Sequence, residues 1–284
     1  MNPCRIAALA AVLLAPLLAA RPAAAARPRP KPPASLVFVD PAGDDDGPGG
    51  YVYPTDAAFA RGAFDLLKLE IEPGRREVTL RLTFAAPLLD PWNSRSWGGP
   101  GFSVQLVHVY LDTEPPPRRG PDGSSAALPG LRARFAEDAR WDRAVFISAE
   151  APAEAARRVK AAAGPEAGFE AKAVLVPTVK EIEVDGATLI ITLPRKRFGK
   201  LPPERWRAQV AVGSTDFYAS DDALLAREVL ARPGAFRFGG GHDGLCDPNI
   251  LDLLAPDRAA QRAALKWRCE AAGAGQATLP LVVP

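Results

Sequence analysis

The sequence predicts an all-β protein, an antiparallel β-sandwich with long loops and one or two short helices. Short runs in which apolar and polar residues alternate are the first sign. Pro, Gly and Asp-Gly pairs punctuate those runs, as turns between strands require. The third sign is 30 prolines in 284 residues, about twice the usual share and poorly suited to a helical bundle.

The elements follow in chain order. Arg5, the apolar run from Ile6 to Ala20 and the small residues Ala24 to Ala26 have the order of a secretory leader cleaved after Ala26. A retained anchor is the other reading, but the run is short and Ala-rich for a membrane span. The Pro-rich basic stretch at 27–34, "RPRPKPPA", reads as an extended tether. Residues 35–284 form the expected domain. In it Leu67, Leu69 and Ile71 alternate, as do Val78, Leu80, Leu82 and Phe84, with Pro73-Gly74 as the tight connection. "FSVQLVHVYLD" (102–112) is apolar on both faces, as in a central strand. "IEVDGATLIITL" places Asp185-Gly186 between two runs, a hairpin signal. Trp206, Ala208, Val210 and Val212 alternate in a further strand, and Trp141 and Trp206, each opening a strand, are expected in the core. Ala153–Ala163 reads as a surface helix and Asp257–Cys269 as a second, capped by Asp257.

Charge and cysteines narrow the function. Loss of Arg5 and Arg21 with the leader leaves 33 basic against 33 acidic residues. A chain without net charge has no long-range attraction to nucleic acid or to an anionic membrane. Cys4 leaves as well, so Cys246 and Cys269 remain as an even pair in an oxidising compartment, and a disulfide between them is expected.

Two constellations carry chemistry. "GDDDGPGGYVYPTD" (43–56) sets Asp44, Asp45 and Asp46 side by side, with no Lys or Arg between Lys31 and Arg61. Such carboxylates on a Gly-Pro loop suit Ca²⁺, which takes about six to eight oxygen ligands. The spacing is not that of an EF-hand, so ligands must come from elsewhere. Asp65 is the local candidate, and Asp243 and Asp252 are remote ones; a solvated acidic turn is the bland alternative. "DPWNSRSWGG" offers Trp92, Asn93 and Trp97, and "STDFYASDD" offers Phe217 and Tyr218. Flat rings beside amides and carboxylates are what a sugar-binding surface needs. Trp92, after Pro91, reads more as a structural corner, and Trp97, among glycines, more as the ligand residue. No paired acid and nucleophile, G-x-S-x-G, H-E-x-x-H or phosphate loop points to catalysis. "GGGHDG" (239–244) has a His-Asp pair without a nucleophile.

"GDDDGPGGYVYPTDAAFARGAFDLLKLEI" resembles the opening of the glucodextranase C-terminal domain family, also found appended to amylopullulanase-like glucan hydrolases. "DPWNSRSWGGPGFSVQLVHVYLDT", "WDRAVFIS", "FRFGGGHDGLCDPNILDLLAP" and "LPLVV" follow in the family's order. The resemblance implies a DOMON-like jelly roll, similar to family 9 carbohydrate-binding modules, at the bacterial cell surface. "SRSWGG" (94–99) and the Ala-rich stretch 150–168 depart from the family pattern. DOMON-like domains include haem carriers with Met and His ligands, but Met1 is the sole methionine, so that ligation is excluded. The expectation is an exported, non-catalytic module, stabilised by calcium, that binds an α-glucan or cell-envelope polysaccharide beside a separate glycoside hydrolase. A cell-surface structural or protein-interaction module is the alternative.

Overall fold

The computed structural model describes residues 34–115, 123–217, 224, 226–242, 246–269 and 275–284. The expected leader, the tether as far as residue 33, Tyr218 and Asp243 lie outside the described residues. In chain order the strands are β1 (Leu36–Val39), β2 (Leu66–Pro73), β3 (Glu77–Phe84), β4 (Gln105–Asp112), β5 (Ala133–Phe135) and β6 (Arg143–Ser148). They continue with β7 (Val174–Leu175), β8 (Ile182–Asp185), β9 (Thr188–Pro194), β10 (Arg207–Ser214), β11 (Asp252–Leu253) and β12 (Ala277–Leu279). Among the described residues there are two α-helices, α1 (Pro152–Ala162) and α2 (Arg258–Ala264), and several 3₁₀ turns.

Two five-stranded sheets face each other, one in the order β1-β2-β3-β9-β8 and the other β11-β10-β4-β6-β7. The fold is an all-β sandwich. Alternation builds the first sheet: Val78, Leu80, Leu82 and Phe84 are buried while the residues between them are not. These side chains meet Val107, Val109, Val210 and Val212 of the second sheet, and Trp206 just before β10, in one core. The second sheet has a second core on its outer face, where Tyr110, Phe146, Trp141 and Ala211 pack under Phe135, α1 and Leu279. That covering explains why β4 is buried at every position and why its sequence shows no alternation. Trp141 and Trp206 are both fully buried, each with its indole N–H bonded to a backbone carbonyl.

Five expectations need correction in detail. In β2 a bulge between Leu66 and Lys68 shifts the register, so Leu66 is fully buried and Leu67 only half so; a bulge reverses the facing of what precedes it. The sandwich is not wholly antiparallel, since β6 pairs β7, and β5 pairs β12, in parallel. In the β8–β9 hairpin Asp185 pairs with Thr188. Gly186 and Ala187 therefore form the loop, and Gly186 takes the positive φ of 57° that a Cβ disfavours. The second helix stops at Ala264, and Asp257 caps it by accepting from the Ala260 N–H at 2.8 Å. Beyond it Arg268 N–H bonds the Gly275 carbonyl instead. The first helix is not free on the surface: Ala155 and Val159, one turn apart, enter the second core.

Cys246 and Cys269 form a disulfide, with Cα atoms 5.4 Å apart. It closes the loop that contains β11 and α2. Replacing both cysteines by serine is expected to lower stability by about 2–4 kcal/mol, read from urea unfolding. Unchanged unfolding would show that packing alone holds the loop.

Candidate functional site

The three consecutive aspartates point three different ways. Asp44 turns inward and is fully buried. Asp45 accepts from the Tyr53 hydroxyl, and Asp46 pairs with Arg262 at 3.1 Å. The backbone makes this possible: the Asp46 carbonyl accepts from Gly49, Gly50 and Tyr51, and Gly47 sits at φ 63° with the Tyr51 ring where a Cβ would stand. Gln261 of α2, itself buried, donates to the Asp44 and Gly47 carbonyls.

Asp44 meets acids from both sheets. Carboxylate oxygens of Asp40, Asp44 and Asp252 lie within 4.8 Å of one another. Asp40 follows β1 and accepts from Ala255 N–H at 2.6 Å. Asp252 in β11 accepts from Leu66 N–H at 2.6 Å and Leu253 N–H at 2.8 Å. Asp65, just before β2, accepts from Gly43 N–H at 2.7 Å and borders the group. Among the described residues nothing hydrogen-bonds Asp40 Oδ2 or Asp65 Oδ1, and no other residue donates to either Asp44 oxygen. Buried carboxylate oxygens without donors are costly. The donor set, all hard oxygen and drawn from both sheets, fits a Ca²⁺-type cation.

Burial pushes Asp40 up to about 8, against the lowering bond from Ala255, with Asp44 and Asp65 adding repulsion. Asp65 rises to about 6, by burial and then by Asp45 and Asp44. Asp252 rises well above the usual range through burial and the charge of Asp40. Folded values above the unfolded one mean that the fold binds protons more tightly than the unfolded chain. The metal-free protein therefore loses stability as pH climbs from about 4, the unfolded value, to about 8. Melting in chelator is expected to fall between pH 5 and pH 8, and excess Ca²⁺ to remove that fall. A chelated protein that gains stability over this range would contradict the arrangement.

A second site lies at one end of the second sheet, where β4 begins and β6 and β10 end. There the loop before β4, the β6–α1 connection and the segments after β10 enclose a groove of about 690 Å³. Trp92, Trp97, Phe217 and Phe236 form its apolar walls. Trp97 is 43% exposed and Phe236 41%. Phe217 stands edge-on to Trp97 at 5.6 Å and to Trp92 at 6.0 Å. Trp92 also packs on Phe59 and Phe236, so it is both corner and wall.

Local chemistry shapes the first wall. Asp90 accepts from Ser94 N–H at 2.7 Å and from the Ser103 hydroxyl at 2.5 Å. Burial pushes its pKa up, yet the bonds from Ser103 and Ser94 outweigh it and hold the carboxyl below its usual value. A single 3₁₀ turn, Ser94–Trp97, results. Asn93 starts it at φ 52°, a left-handed conformation that Asn tolerates. Its side chain is exposed and outside the groove's lining, so its contribution is to the backbone. Phe217 has φ 63°, unusual for a large residue and of the kind found at ligand sites.

Sequence reasoning missed Glu150, Glu154, Asp216 and Phe236, all in the lining. Asp216 stood beside Phe217 in the quoted motif and was there to be read. Glu150 and Phe236 carry no local signal.

Residues 36–282 match the family described as the C-terminal binding module, SLH-like, of glucodextranase. The chain belongs to that family. No curated protein matches it. Membership as a glucodextranase C-terminal binding module agrees with a sandwich whose open end is an aromatic groove. Among the described residues no helix is long and apolar enough to cross a membrane.

Proposed function

We propose that this glucodextranase-type module is exported and binds a carbohydrate, an α-glucan or a cell-envelope polysaccharide, without cleaving it. A bound Ca²⁺ held by Asp40, Asp44 and Asp252, with Asp65 at its border, stabilises the edge of the sandwich. A separate glycoside hydrolase is the enzyme it serves. The observation that carries the reading is Trp97: a large ring left 43% exposed on a wall braced by Phe217. Pyranose rings present an apolar face of matching size, and stacked contacts of this kind are favourable without requiring movement of the site.

The test uses tryptophan fluorescence during titration with malto-oligosaccharides and dextran. Trp97→Ala is expected to weaken binding by about tenfold or more, about 1.4 kcal/mol, with little change in melting. Trp92→Ala is expected to cost up to about 3 kcal/mol of stability, the low end for truncating an aromatic residue, since it is half-buried. Full saccharide affinity in Trp97→Ala, or no glycan bound at millimolar concentration, would refute the carbohydrate reading and favour a surface-interaction module.

A further inference from the structure

The polar side chains in the groove's lining share one property. Glu150, Glu154 and Asp216 are all carboxylates, and a carboxylate accepts hydrogen bonds without donating any. Glu154 pairs with the exposed Arg157, whereas the donors that balance Glu150 and Asp216 lie outside the lining. Arg158 Nε reaches Glu150 Oε1 at 3.0 Å, and the Arg158 side chain is 15% exposed. Arg227 Nε lies 2.6 Å from Asp216 Oδ1, and Arg237 Nε 2.9 Å from its Oδ2. Arg227 is 8% exposed. Among the described residues, none of these three guanidiniums belongs to the lining. They fix the direction of two carboxylates and offset their charge, but they offer the groove no donor surface.

The two carboxylates are set on well-braced backbone. Glu150 lies two residues past the end of β6, and its N–H bonds the Ser148 hydroxyl at 3.3 Å. Asp216 lies between the end of β10 and Phe217, whose N–H bonds the Thr215 hydroxyl at 3.2 Å. Burial pushes the Glu150 carboxyl up, and Arg158 opposes that push. The aromatic walls add to the selection. The faces of Trp and Phe rings carry negative electrostatic potential and repel anions.

We infer that Glu150 and Asp216 are the selectivity pair of this groove, favouring a glycan that presents hydroxyl donors and rejecting one that presents carboxylate, sulfate or phosphate groups. The inference rests on the carbohydrate reading and deepens it by naming the substrate class. A neutral sugar donates its hydroxyls into fixed carboxylates, giving charge-assisted bonds stronger than neutral ones. An acidic sugar brings an acceptor against an acceptor, with no proton between them, and the arginines that could answer its charge are already held by Glu150 and Asp216. Discrimination by such a repulsive element is cheap to build, since it needs no extra contact to the preferred ligand. Neutral glucans fit this surface, and acidic envelope polymers do not.

The test compares a malto-oligosaccharide with the same oligosaccharide after its primary hydroxyls are oxidised to carboxylates. Calorimetric titration of the full chain is expected to show the oxidised form binding about tenfold or more weakly, because its carboxylates meet acceptors and find no donor. Glu150→Gln supplies an amide donor and releases Arg158, so it is expected to narrow the ratio between the two ligands. Asp216→Asn is the second variant, scored in the same way, in case one substitution prevents folding. Trp97→Ala is expected to weaken the neutral and oxidised forms alike and leave the ratio intact, since stacking does not read charge. Equal binding of both forms, or an unchanged ratio in folded Glu150→Gln and Asp216→Asn, would overturn the selectivity pair while the carbohydrate reading stands. Binding of neither form would overturn both.

Discussion

The fold depends on how it accommodates negative charge at one edge of the sandwich. Asp40 and Asp252 belong to the edge strands β1 and β11 or their immediate continuation, and Asp44 comes from the loop between β1 and β2. Their backbone bonds cross between the sheets: Asp40 takes the Ala255 N–H and Asp252 takes the Leu66 N–H. These bonds fix the edge, yet they gather like charges where water cannot screen them. Arg258 is the guanidinium that lowers both Asp44 and Asp65, and it ranks below burial in each case. The cation we propose would supply the missing positive charge and take up the orphaned oxygens in one step.

The same loop reaches from the acidic cluster towards the groove. Tyr53 packs on Phe64 and Phe238, Phe59 on Phe64 and Phe238, and Phe59 on Trp92. The backbone of 52–56 is bonded to that of 234–239, which carries Phe236 into the groove. Packing of this density makes both walls part of one rigid body of side chains. The loop's glycines and prolines, which deny it regular structure, let it turn from one task to the other. Gly47 is required where the Tyr51 ring approaches, and the Asp46 carbonyl gathers three N–H groups to close the turn.

Much of the sandwich was legible because alternation is a local property. Val78 to Phe84, Leu189 to Leu193 and the hairpin between β8 and β9 announce themselves within a few residues. The bulge at Leu66–Lys68 did not, because it depends on which partner residues face each other across two strands. The acidic cluster shows the same limit. Asp44 was visible as part of an acidic run, and Asp65 and Asp252 could be named as candidates. Asp40, four residues upstream of the run, has no composition signal and is brought in by the course of β1. Asp45 and Asp46 looked equivalent to Asp44 in sequence, and only Tyr53 and Arg262 distinguish them. In the groove, Trp97 was legible from its glycine-rich setting. Glu150 and Phe236 were not, since they come from distant loops that meet only through the topology of β4, β6 and β10.

The most direct measurement of this account is calorimetric titration of chelator-stripped protein with Ca²⁺ near pH 7.5, paired with the same titration of Asp44→Asn. The account predicts uptake of a single equivalent by the stripped protein and none by the variant, with the variant still folded. A stripped, folded protein that takes up no Ca²⁺ would contradict it, as would an Asp44→Asn variant that binds the ion as well as the parent does.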